Sequence, residues 1–117
     1  MDEFVLTNEI IKKVKKEAFA SAYRLMGGDL TEMILYGSCA RGDFTNDSDV
    51  DIALLTKCSR VEAKKYDDGL DLIAANLAMK YFAVVNFVCL PYNEFQEKKT
   101  WYAYFRNIEG EGEVIYG

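Results

Sequence analysis

The sequence predicts a mixed α/β domain, an α+β sheet of three to four strands with helices packed mainly on one face. Three observations carry this. Residues 8–26 repeat apolar side chains at helical spacing. Short β-branched and aromatic runs stand at residues 31–36, 50–55 and 82–90. A long helical stretch separates the last two runs, as a parallel crossover requires. With 117 residues, half of them apolar and 28% charged, the chain has ordinary globular composition and the length for one core. A single domain over residues 1–117 is therefore expected.

The elements follow in order. Thr7 or Asn8 caps a helix running to about Met26, with Ile10, Ile11, Val14, Phe19, Ala22 and Met26 on its apolar face and Gly27-Gly28 as its stop. Thr31 to Tyr36 reads as a strand, Ser38 to Gly42 as a short helical turn and Phe44 to Ser48 as a polar loop. Val50 to Leu55 is the second strand. Ser59-Arg60-Val61-Glu62 matches a capping box and opens a helix to about Lys80, striped by Tyr66, Leu70, Ile73 and Leu77. Phe82 to Leu90 is almost continuously apolar, the pattern of a buried strand, and Pro91 ends it. Asn93 caps a last helix to about Asn107, Gly110 and Gly112 punctuate a turn, and Glu113 to Tyr116 is a final short strand.

Chemistry concentrates between Leu35 and Leu55. Asp49-Val50-Asp51 heads the second strand, ten residues after Gly37-Ser38. Side chains at i and i+2 of a strand share a face, and Asp is depleted in strands. A bound divalent cation gives two such acids a reason. Mg²⁺ is held by one or two carboxylates plus substrate phosphates, and such sites serve in-line phosphoryl displacement. A glycine at the strand end lets the backbone approach an anion. A helical turn opening at Ser38 would aim unpaired N–H groups at it, and the hydroxyl adds a donor. Arg41 reads either as a phosphate contact or as a loop brace paired with an acid. Asp43 reads as a turn residue and Ser48 as a loop-bracing hydroxyl. The alternative for Asp49 and Asp51 is a solvent-facing pair on an edge strand.

Composition excludes other chemistries. The chain has no histidine, which removes Ser-His and Cys-His mechanisms. Cys39, Cys58 and Cys89 are odd in number and far apart, against a disulfide framework or a zinc site. A P-loop fails because Asp43 stands where its lysine must be, and no G-x-S-x-G occurs. The net charge of −5 argues against a nucleic-acid binder, with Lys12, Lys13, Lys15 and Lys16 read as a solvated helix face. No stretch is apolar enough to span a membrane, and MDEFVLTNEI lacks the features of a secretory leader, so a cytoplasmic protein is expected.

Gly37-Ser38, Ala40-Arg41-Gly42, Ser48 and Asp49-Val50-Asp51 together resemble the signature of the DNA polymerase beta nucleotidyltransferase superfamily, and more narrowly the minimal nucleotidyltransferases of prokaryotes. The closing Tyr104-Phe105-Arg106-Asn107-Ile108-Glu109 and Glu113-Val114-Ile115-Tyr116 are similar to the usual ending of these proteins. The resemblance implies the nucleotidyltransferase fold. It also implies transfer of a nucleoside monophosphate from an NTP to a hydroxyl or phosphate, with Mg²⁺ required and pyrophosphate leaving. Minimal forms commonly pair with a helical HEPN protein, act as its antitoxin and can add AMP from ATP to its tyrosine. On this resemblance Asp49 and Asp51 bind metal and Gly37 and Ser38 contact the triphosphate.

The sequence departs from the pattern at one position. The superfamily places a third carboxylate on the strand after the long helix, where this chain has Asn86. An amide oxygen can ligate a hard cation but cannot take a proton, so Asn86 is a non-standard third metal-ligand position. A buried, hydrogen-bonded amide is its bland alternative, and Glu94 and Asp71 are other acids within the chain. Three functions follow: transfer of AMP to a tyrosine of a HEPN-type partner, a degenerate fold that blocks its partner without turnover, or transfer to a small molecule. Phe95, Trp101, Tyr102, Tyr104 and Phe105, with Tyr92 just before them, exceed what one helix face can bury. Some should pack on the sheet and others face outward, for a partner or a second copy.

Overall fold

Helix α1 (Asn8–Met26) begins at Thr7, whose side chain accepts the Ile10 N–H at 3.1 Å, and ends at Gly27, whose φ of 56° turns the chain. Its inward stripe is Ile11, Val14, Ala18, Ala22 and Met26. A short 3-10 turn leads into strand β1 (Leu30–Tyr36), then helical turn α2 (Ser38–Arg41) and strand β2 (Val50–Thr56). Helices α3 (Arg60–Ala63) and α4 (Asp67–Tyr81), strand β3 (Val85–Pro91), helices α5 (Tyr92–Lys98) and α6 (Ala103–Glu111) and strand β4 (Glu113–Tyr116) complete the order. These elements belong to a computed structural model that describes residues 5–117. Met1-Asp2-Glu3-Phe4, part of the stretch read as no secretory leader, lies outside the described residues. No helix among the described residues is long and apolar enough to cross a membrane, and all three cysteines are free.

The strands form one mixed sheet in the order β3-β2-β1-β4. β1 is antiparallel to both β2 and β4, while β2 and β3, joined through α3 and α4, are parallel. Alternation along the central strands sends side chains to two cores. Met33, Leu35, Ile52 and Leu54 meet α1 and α4 in the larger core. Ile34, Ala53 and Leu55 face the other way, where Phe95, Phe105 and Ile108 of α5 and α6 cover them. The longer helices thus share one face, and a smaller layer that the sequence reading did not separate covers the second.

Three expectations give way to the tertiary packing. The single last helix is two: the chain breaks after Lys98 and restarts at Ala103, and Asn93 lies inside α5 rather than capping it. A straight helix would hold residues 95 and 105 about 15 Å apart. The break brings the Phe95 and Phe105 rings to 5.4 Å, both buried, where each contributes about 1.5–3 kcal/mol. Gly110 falls inside α6, and Gly112 ends it. The long helix from Ser59 is also interrupted. The capping box forms as expected, but α3 gives way to a 3-10 turn at Lys64–Tyr66, where the Tyr66 hydroxyl donates to Asp29. Finally, the strand read from Phe82 begins at Val85. Phe82 instead ends α4 with a left-handed φ of 56°, and β3 is an edge strand, so its middle is half-buried and Asn86 is exposed.

Candidate active site

Three side chains stand in one row across the sheet. In register, Asp51 on β2 lies opposite Tyr36 on β1 and Asn86 on β3. Asp51 shares its face with Ala53, Asn86 with Val88 and Tyr36 with Ile34, so the row opens on the face covered by α5 and α6. Asp49, one residue before β2, reaches the same spot. The Asn86 amide Nδ2 donates to Asp49 Oδ2 at 2.9 Å and to Asp51 Oδ1 at 3.2 Å. The two carboxylates therefore converge on one point, and that point lies beside the glycine bend.

Gly37 has a φ of 77°, which side-chain-bearing residues rarely adopt, and a Cβ there would stand 2.7 Å from Asp51 Oδ2. Only glycine permits this approach. Ser38 opens α2, whose first backbone bonds are made by Ala40 and Arg41 to Gly37 O at 3.1 Å. The N–H groups of Ser38 and Cys39 precede those bonds, as at any helical start. The buried Cys39 thiol donates to the Asp49 carbonyl at 3.5 Å. Burial, and then the charges of Asp51 and Asp49, raise that thiol above its ordinary value, so it stays a neutral brace.

The loop between the two motifs is held by its own polar groups. Ser48 Oγ accepts the Thr45 N–H at 2.9 Å, the bracing role expected of it. Arg41 Nε donates to Asp43 at 3.2 Å, and Nη1 donates to Glu111 at the end of α6 at 3.1 Å. Of the two readings kept for Arg41, the described contacts are those of a loop brace. Asp43, and then Glu111, hold its guanidinium above its ordinary range.

Asn86 is not a buried amide. It is exposed and turned to the two acids, because β3 has a neighbour on one side only. Glu94 pairs with Arg60 and Lys98 instead. Asp71 lines an edge cleft of about 360 Å³ with Asp67, Phe87 and Asn86. Among the described residues no group of three or more His, Cys, Asp or Glu side chains could hold a metal ion. The oxygen ligands that do converge are two carboxylates, with the Asn86 NH2 hydrogen-bonded to both. Hard oxygens of this kind suit a magnesium ion whose other positions are filled by phosphates and water.

Sequence reasoning named Tyr104 only among the aromatics and did not foresee its meeting with Tyr36, and it missed Glu111. The Tyr36 and Tyr104 hydroxyls lie 2.8 Å apart at the end of the row. Burial first, and then the Tyr104 bond, raises Tyr36 above the usual tyrosine range, with a smaller contribution from the Asp51 charge. Its place directly before Gly37 was the available signal. Glu111, which anchors Arg41, carried none.

A family model described as a nucleotidyltransferase domain matches residues 8–109. The chain belongs to the nucleotidyltransferase domain family. Two relatives from Methanocaldococcus jannaschii carry the provisional name protein adenylyltransferase. The nucleotidyltransferase domain described here is 35% identical to one, MJ0604, over 99 residues, covering 85% of this chain and 88% of the relative. It is 33% identical to the other, MJ0141, over 78 residues, covering 67% of this chain and 73% of the relative. The crystal structure of a mutant toxin–antitoxin MntA–HpeT shares the fold at a TM-score of 0.52 and 18% identity, over 96% of this chain and 74% of that one. The nucleotidyltransferase fold expected from the motif is thus the fold of this domain.

Proposed function

We propose that this chain, as one domain in the cytoplasm, uses Mg²⁺ and ATP to transfer AMP to a hydroxyl of a partner protein. The acceptor is a tyrosine of a HEPN-type helical protein, and the chain is the antitoxin of the pair. One observation carries the reading: Asp49 and Asp51 converge on a single point beside the Gly37-Ser38 bend. The protein adenylyltransferase relatives support the reaction class, and the toxin–antitoxin neighbour supports the biological setting.

Asp49 and Asp51 would hold magnesium, and Gly37 and Ser38 would meet the triphosphate. Magnesium held by these two acids would supply charge neutralisation of the phosphates. The acceptor oxygen bonds to the α-phosphorus as the bond to the bridging oxygen of the β-phosphate breaks, and pyrophosphate leaves. Arg41 exchanges a carboxylate for a phosphate, a swap between two charge-assisted partners. Asn86 steers both carboxylates through its Nδ2 and can turn its Oδ1 to the cation. The exposed aromatics Trp101, Tyr102 and Tyr104, on the side of the sheet that bears the row, suit the docking of a partner.

A second reading has its own observation. Asn86 supplies an amide where the superfamily supplies a third acid, which favours a protein that binds and blocks its partner without turnover. Incubation with Mg-ATP and the adjacent-gene product, followed by intact mass, separates the two. AMP on the partner is the expected result. A stable, unmodified complex assigns the chain to the blocking role and refutes transfer.

A further inference from the structure

We propose that Tyr104 of this chain is itself an acceptor, so that the protein adenylylates itself in cis. This rests on the transfer reading above and adds a modification site to it. Tyr36, Asp51 and Asn86 stand in register on one face, and the Tyr104 hydroxyl meets the Tyr36 hydroxyl at 2.8 Å. The two rings lie 6.0 Å apart and nearly perpendicular, so both oxygens are held at one place. Tyr36 is half-buried, while Tyr104 on α6 is 41% exposed and can present its oxygen to a nucleotide.

The other phenols are occupied or remote. The Tyr66 hydroxyl is bonded to Asp29 and the Tyr81 hydroxyl to Glu17. Tyr23 and Tyr116 pack with Phe19 on α1 and β4. Tyr92 lines a cleft with Thr56 and Lys57, at the end of β2 away from Asp51. Tyr102 is exposed beside Phe105, with no bond to the row among the described contacts.

Tyr36 can also activate its neighbour. Across the 2.8 Å contact its hydroxyl can donate to the Tyr104 oxygen, and that bond favours the phenolate that attacks. In the transfer, Tyr104 Oη forms a bond to the α-phosphorus of ATP. The bond from that phosphorus to the bridging oxygen breaks, its electron pair leaves with pyrophosphate, and the phenolic proton passes to solvent. Holding acceptor and site in one molecule makes the step unimolecular.

The test incubates the purified chain with Mg²⁺ and ATP, without and with a synthetic tyrosine peptide, and reads intact mass and modified peptides. One AMP on the peptide containing Tyr104, at a rate independent of protein concentration, is expected. Tyr104→Phe should abolish that label, and Tyr36→Phe should slow it about tenfold, the effect of one charge-assisted hydrogen bond. NMR of labelled tyrosine ring carbons adds a readout that needs no turnover: Tyr36→Phe should move the Tyr104 resonance in the nucleotide-free protein. AMP on the added peptide but not on Tyr104 overturns the inference and leaves the transfer reading intact. AMP on neither overturns the inference, while the transfer reading is decided by the incubation with the adjacent-gene product. Labelling whose rate rises with protein concentration shows a trans reaction and refutes the cis assignment.

Discussion

Asn86→Asp would give this chain the third acid that its superfamily supplies, and the structure sets the cost. Asn86 Nδ2 donates to Asp49 at 2.9 Å and Asp51 at 3.2 Å. The substitution replaces a donor to two anions with a third anion at about the same separation. Two unit charges 4 Å apart repel by about 1 kcal/mol in water and about 4 kcal/mol at the dielectric of a protein surface. Exposure of the site keeps each new pair near the lower figure. With two pairs gained and two hydrogen bonds lost, the metal-free variant should be less stable by about 2–4 kcal/mol. At about 4 °C per kcal/mol for a chain of this size, its melting temperature should fall by about 8–16 °C in chelator. Saturating Mg²⁺ should recover most of that, because an ion that binds only the folded site stabilises it by mass action. AMP transfer should also rise tenfold or more, since each 1.36 kcal/mol of barrier is a factor of about ten. Thermal unfolding by circular dichroism, with and without Mg²⁺, reads the first effect and intact mass of the partner reads the second. An Asn86→Asp chain that melts at or above the parent temperature in chelator would refute the convergence of these three side chains.

Four further outcomes are expected. Gly37→Ala forces a left-handed φ on a side chain and sets its Cβ against Asp51, so stability should fall by about 1–2 kcal/mol and nucleotide affinity with it, as calorimetry would show. Arg41→Gln breaks only exposed ion pairs to Asp43 and Glu111, so the melting temperature should hardly move while ATP affinity falls about tenfold; equal affinity would leave Arg41 a brace alone. Phe95→Ala empties the centre of the second core and should cost about 3–5 kcal/mol in urea unfolding. Tyr66→Phe tests pH linkage. The Tyr66 hydroxyl bond, and then Cys58, lowers Asp29 below its ordinary 3.8, so its contribution holds above that pH and is lost as pH falls through the lower folded value. Tyr66 itself is pushed up to about 12, so its contribution is full below 10.0 and is lost as pH rises through about 12; urea midpoints of the variant should be flatter at both extremes.

Local pattern and local chemistry were legible in the residues. The spacing of Ile11, Val14, Ala22 and Met26 marked α1, Ser59 and Glu62 marked a capping box that forms, and Asp49 and Asp51 were placed on one side of β2 by alternation alone. Each is a statement about residues within a few positions of one another, where backbone geometry leaves little choice. The motif around Gly37 and Ser38 was legible for the same reason: a positive φ and a close approach demand glycine wherever they occur.

What sequence could not decide were meetings between distant segments. The break between α5 and α6 exists because Phe95 and Phe105 both reach the second core, and no periodicity within residues 92–111 announces it. Asn86 faces two carboxylates more than thirty residues away because β3 pairs with β2 in one register and has no neighbour beyond. Tyr36 and Tyr104, 68 residues apart, touch only after the sheet and the last helices have packed. Short-range sterics and alternation determined the elements and the acid pair. Long-range burial, which rewards whatever arrangement fills both faces of the sheet, decided what stands around them.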